Sequence, residues 1–78
     1  MSPRRPYEPR PVVVRAAGGR PLRVGKLDVR SIREQWLVED RWWSESPLRR
    51  HYFELVLAGG GCVVVFRDLA GGRWYSQR

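Results

Sequence analysis

The sequence predicts an all-β chain: a small antiparallel, SH3-like, partly open barrel of five or six strands, with a short helix as the competing reading of one segment. Three observations carry this. Runs rich in Val, Phe, Tyr and Trp recur along the chain, and these side chains suit a pleated, half-buried surface. Glycine clusters at 18–19, 59–61 and 71–72 separate the runs, as tight turns between strands require. Residues 52–57 alternate cleanly, with Phe53, Leu55 and Leu57 on one face and Tyr52, Glu54 and Val56 on the other.

Size sets the limits. The 78 residues make one domain at most, and a core that small is marginal without help. One cysteine, Cys62, excludes an intrachain disulfide, and one histidine, His51, excludes a Cys/His zinc site. Four Trp, three Tyr and two Phe are left to anchor the fold, each ring removing roughly 150–250 Å² from water.

Taken in order, residues 1–11 carry prolines at 3, 6, 9 and 11 among charges and read as an extended, flexible Pro/Arg-rich arm. Residues 12–78 form the β domain. Val12-Val13-Val14-Arg15 is the first strand, Ala17-Gly18-Gly19-Arg20 a turn and Pro21-Leu22-Arg23-Val24 the second strand. Residues 28–38 support two readings. Val29, Ile32 and Trp36 fall at i, i+3 and i+7, and Ser31-x-x-Glu34 has the form of a capping box. Against that, Ile32, Trp36 and Val38 share one face of a strand, which favours a long, bulged strand. Residues 39–47 are a polar connection containing Trp42 and Trp43. After the alternating strand, Gly59-Gly60-Gly61 closes a hairpin. Cys62 to Phe66 is continuously apolar and reads as a central strand covered on both faces, with Cys62 a buried small hydrophobe. Residues 67–72 make the last turn and Arg73 to Ser76 the last strand.

The net charge is +7 and unevenly placed. Residues 1–30 hold eight basic side chains against Glu8 and Asp28; residues 31–78 hold seven arginines against six acids. A basic front half suits a polyanion-facing surface. It suits plain solubility as well. No apolar run approaches the roughly 20 residues that cross a bilayer, and no apolar stretch follows the basic start as a signal peptide requires. The expected location is the cytoplasm.

Catalytic constellations are missing, and the chain is expected not to be an enzyme. His51 lies between Arg50 and Tyr52 in an alternating strand, with no nucleophile motif beside it. Neither glycine cluster is followed by the Lys-Ser/Thr of a phosphate loop. Arg41-Trp42-Trp43 carries more information. Neighbours on a strand point to opposite faces, so one ring at most joins the core easily. The other covers a loop or stands outside, ready to stack; alternatively both cap a barrel end. Arg73-Trp74-Tyr75 repeats the arrangement.

The succession Trp36-Leu37-Val38-Glu39-Asp40-Arg41-Trp42-Trp43, then Arg50-His51-Tyr52-Phe53-Glu54-Leu55, then Phe66-Arg67-Asp68-Leu69 and Gly72-Arg73-Trp74-Tyr75 resembles a small bacterial domain-of-unknown-function family. It is similar to the C-terminal segment of ImuB-type inactive Y-family DNA polymerase homologues. The matching positions are Trp42, Trp43, Arg50, Tyr52, Arg67, Asp68 and Trp74, with His51 standing where the pattern tends to have Asp. The resemblance implies a role near DNA damage tolerance and no catalysis; Arg67-Asp68 also has the makings of a turn fixture.

The leading expectation is therefore a non-enzymatic interaction module, an accessory factor in DNA damage tolerance or repair. It would dock on a replication or repair protein through Trp42, Trp43, Tyr52, Trp74 and Tyr75. The alternative is a nucleic-acid-binding small β-barrel that uses Arg4, Arg5, Arg10, Arg15, Arg20, Arg23 and Lys26 on phosphates. No cofactor, metal or membrane partner is expected, and the oligomeric state stays open.

Overall fold

The contested segment is a single strand of 14 residues, Leu27–Asp40. A computed structural model of the chain describes residues 9–40, 45 and 47–77, and no helix occurs among them. The strands are β1 (Arg10–Pro11), β2 (Val14–Ala17), β3 (Arg20–Val24), β4 (Leu27–Asp40), β5 (Leu48–Leu57), β6 (Cys62–Asp68) and β7 (Trp74–Ser76). All pairings are antiparallel.

The strand order is β1-β7-β6-β5-β4-β3-β2, so the two edge strands are neighbours in the chain. Only Val12 and Val13 separate them. The Val12 N–H donates to the Trp74 carbonyl at 3.1 Å, and the Val13 carbonyl accepts from the Gly25 N–H at 2.7 Å. Within two residues the chain steps from the β7 edge to the β3 edge, which requires the sheet to curl into a half-barrel. The expected first strand starts two residues later, at Val14. The strand count rises to seven because the last two residues of the proline-rich arm pair with β7, Arg10 with Ser76 and Pro11 with Tyr75. Proline is tolerated there because an edge strand need not donate on both sides.

Bulges supply the curvature and explain the double reading of β4. Its register against β5 shifts between Val29 and Ser31 and again between Ile32 and Glu34. Arg30 and Arg33 are the extra residues. Each bulge sends the following side chain to the opposite face and bends the strand. Val29, Ile32 and Gln35 consequently lie opposite Leu57, Leu55 and Phe53 on the concave face, three residues apart, imitating a helical stripe. The expectation that Ile32 shares a face with Trp36 and Val38 fails for the same reason. Those two lie opposite Tyr52 and Arg50 on the convex face. A further shift between β2 and β3 leaves Leu22 unmatched, and it is exposed.

The core fills the concave face. Val24, Phe53, Leu55, Leu57 and Val65 are buried, and Val12, Val14, Val29, Ile32, Val63 and Trp74 pack against them. The alternation of β5 thus supplies three of the five central side chains. Val65 and Phe66, adjacent and on opposite faces, are both fully buried, so this part of β6 is covered on both sides as its apolar run implied. Cys62 is not: it is exposed, because it opens the strand beside the glycine turn, where neither face is covered. Gly59 and Gly60 take φ of 95° and 91°, a region open to glycine at little cost.

Candidate nucleic-acid interface

The convex face carries a row of aromatic rings drawn from four strands. Trp36 on β4 lies opposite Tyr52 on β5, Tyr52 opposite Phe66 on β6, and Phe66 opposite Tyr75 on β7. Ring centroids are 5.3, 4.9 and 5.3 Å apart along the row, close to the interstrand spacing. Trp36 and Tyr52 are only 5° from parallel, and Phe66 and Tyr75 are 21° apart. The rings therefore stack in two pairs, Trp36 on Tyr52 and Phe66 on Tyr75, joined by a Tyr52–Phe66 step tilted by 37°. The Arg50 guanidinium sits 4.4 Å from the Phe66 centroid and donates through Nη1 to the Tyr52 hydroxyl at 3.2 Å. Trp36 ends the row and is 38 % exposed.

This placement sorts the expected docking residues. Tyr52 and Tyr75 are half-buried members of the row. Trp74 is turned to the concave side and packs on Phe53, with centroids 5.6 Å apart. Half-buried there, it supports the core. Trp42 and Trp43 lie outside the described residues. Of Arg67-Asp68, the aspartate fixes a turn: Asp68 Oδ1 accepts from the Ala70 N–H at 3.0 Å, and the Asp68 carbonyl accepts from the Gly72 N–H at 2.6 Å.

Charge separates along β4. Its second half holds Glu34, Glu39 and Asp40, and Glu34 lies directly opposite Glu54 on the convex face. Two carboxylates in that position repel each other and any polyanion brought to the row. The other half, with β2 and β3, is basic. Arg15, Arg20, Arg23, Lys26, Arg30 and Arg33 are all exposed, against one carboxylate, Asp28. Arg15 and Arg23 are cross-strand neighbours. Arg23 reaches Asp28 at 3.8 Å and donates to the Lys26 carbonyl at 3.0 Å. Among the described residues it is the one member of the six in an ion pair. Five of the expected phosphate-contacting residues are thus described and exposed, but Arg10 lies on the other edge strand, and Arg4 and Arg5 lie outside the described residues. Reading by composition missed Arg33, and left Arg30 out of the contact set, because their prominence comes from the bulges.

At the mouth of the half-barrel is a pocket of about 250 Å³ lined by Gly18, Gly19, Arg20, Ile32, Gln35, His51 and Phe53. The His51 ring stacks on Phe53 at 4.2 Å, and His51 Nε2 is 3.0 Å from Gln35 Oε1. No carboxylate lines it. Nothing in the sequence marked this site, since Gln35 and His51 meet only through the register of β4 on β5.

No family model, no curated protein and no solved structure matches this chain. The described residues contain no group of three His, Cys, Asp or Glu side chains able to hold a metal ion, and no helix long and apolar enough to cross a membrane.

Proposed function

We propose that this chain is a non-enzymatic, cytoplasmic binding module that contacts nucleic acid through the basic lobe of β2, β3 and the first half of β4. It would serve as an accessory factor in DNA damage tolerance or repair. The repair context rests on the resemblance of residues 36–75 to the ImuB-type segment. The contact itself is supported by one observation above others: six exposed cations share that lobe with a single carboxylate, while the acids collect on the remainder of the sheet. Phosphates neutralised by such a surface release counterions, so affinity falls steeply with salt.

Fluorescence anisotropy of a labelled oligonucleotide across a salt series tests this. Six phosphate contacts would give a log–log slope of roughly −5. The double change Arg15→Ala and Arg23→Ala should flatten that slope by about 2, one unit for each lost contact. An unchanged slope would remove the lobe from the interface.

Docking on a replication or repair protein is the second reading, favoured by the exposed end of the aromatic row. There Trp36 presents an apolar face without disturbing the rings behind it. Under that reading Trp36→Ala abolishes association and Arg15→Ala does not.

A further inference from the structure

We infer that the pocket at the mouth of the half-barrel receives one unstacked base of a single-stranded nucleic acid, held while the basic lobe grips the backbone. This rests on the nucleic-acid reading above and names the form of the ligand. Four features support it. At about 250 Å³ the pocket suits a flat heterocycle and is small for a peptide segment. An aromatic floor is present, because His51 packs on Phe53 with the rings 29° from parallel; stacking on such a ring is tolerant of base identity. Polar groups that read a base edge are present too. Gln35 Oε1 lies within hydrogen-bond distance of His51 Nε2, so its amide N–H groups are left for a carbonyl of the ligand, and the amide and ring orient one another.

The fourth feature is position. Arg20 and the Gly18-Gly19 turn form one wall, and they join β2 to β3, the two strands that carry Arg15 and Arg23. Arg15 and Arg23 alternate with the core residues Val14 and Val24 and so face away from the pocket; a strand held on them reaches the pocket by passing round the Gly18-Gly19 turn. With Arg20 at its rim and no carboxylate in its lining, the pocket favours an anionic or neutral guest. The convex row offers a base only the outer face of Trp36 by comparison, because its other rings are already packed on one another.

Only an unpaired base can enter, so the test is the preference for single over double strands. Oligodeoxythymidylate, which forms no self-structure, should bind at least about tenfold more tightly than a duplex of equal length at the same salt, in keeping with one stacked base. An abasic oligonucleotide of the same length should fall to the duplex value. Gln35→Trp fills the pocket at an exposed position and should erase the preference while leaving duplex affinity unchanged. In the wild-type protein, which avoids any question of folding, oligodeoxythymidylate should shift the NMR signals of the Gln35 side-chain amide and the His51 ring. Equal affinity for single strand, duplex and abasic strand, with shifts confined to the lobe, would overturn the pocket assignment and leave the lobe reading intact. Binding to none of the three would overturn both.

Discussion

The two ends of β4 belong to different kinds of surface. Its second half borders the core strands β5 and β6, where Phe53 and Val65 on the concave side and Phe66 on the convex side are reduced to 2 % exposure or less, although its own side chains, Val38 apart, stay exposed. Its first half belongs to a lobe whose buried side chains are few, Pro21 and Val24 in β3. The lobe's remaining positions are largely exposed, and six of them are cationic. Unmatched residues also differ: both β4 bulges fall in the first half, and each is an arginine. The contrast teaches that stability and binding occupy different parts of one small chain. A bulged lobe can crowd like charges because they occupy its exposed positions, while Val14, Val24, Val29 and Ile32 among them face the core; the central strands have fewer exposed positions to give.

The sharpest way to break this contrast is to strike the scaffold. Phe53→Ala removes the ring that His51 and Trp74 both touch and should cost about 3–5 kcal/mol. In a domain of this size that approaches the whole stability, and denaturant unfolding should find it largely unfolded. In the lobe, by contrast, Arg15→Glu with Arg23→Glu should move the unfolding midpoint by no more than a surface substitution does, about 0.5 kcal/mol either way. The same variant should lose nucleic-acid affinity by more than tenfold at low salt, as two charges change sign and the net charge of the interface falls by four units. If unfolding and binding fell together, the lobe and the scaffold would not be separable. The smallest effect sharpens the charge boundary itself. Glu54→Gln relieves the repulsion with Glu34 and should stabilise by a few tenths of a kcal/mol, within the roughly 0.2–1 kcal/mol of cross-strand pairs; thermal unfolding at low salt is the measurement.

How much of this could be read from the sequence follows the range of each interaction. Local patterns were legible: the alternation of Phe53, Leu55 and Leu57, the glycine turns, and the strand at residues 28–38 in preference to a helix. Features that depend on register were not. The row of Trp36, Tyr52, Phe66 and Tyr75 comes from four strands, and no spacing along the chain brings those rings together. Two bulges hid the faces of β4, so Ile32 was grouped with Trp36, although the sheet lies between them. Cys62 was misplaced because an apolar neighbourhood in sequence does not ensure cover at the end of a strand. Trp74 and Tyr75 were read alike as display candidates, and the pleat sends one into the core and the other into the convex row.

The segment from Arg10 to Ala17, which lines both edges of the sheet, also orders events as the chain folds. Its first half pairs with Ser76 and Tyr75, so the curl closes between residues far apart in sequence. Such a contact bears a large loop-closure entropy and forms late, which slows folding. During synthesis β2 to β6 can pair by successive hairpins, but closure must wait until β7 has emerged. Until that moment two unpaired edges are on offer to other nascent chains. The residues that complete the half-barrel are made well before the strand they pair with, and find their place last.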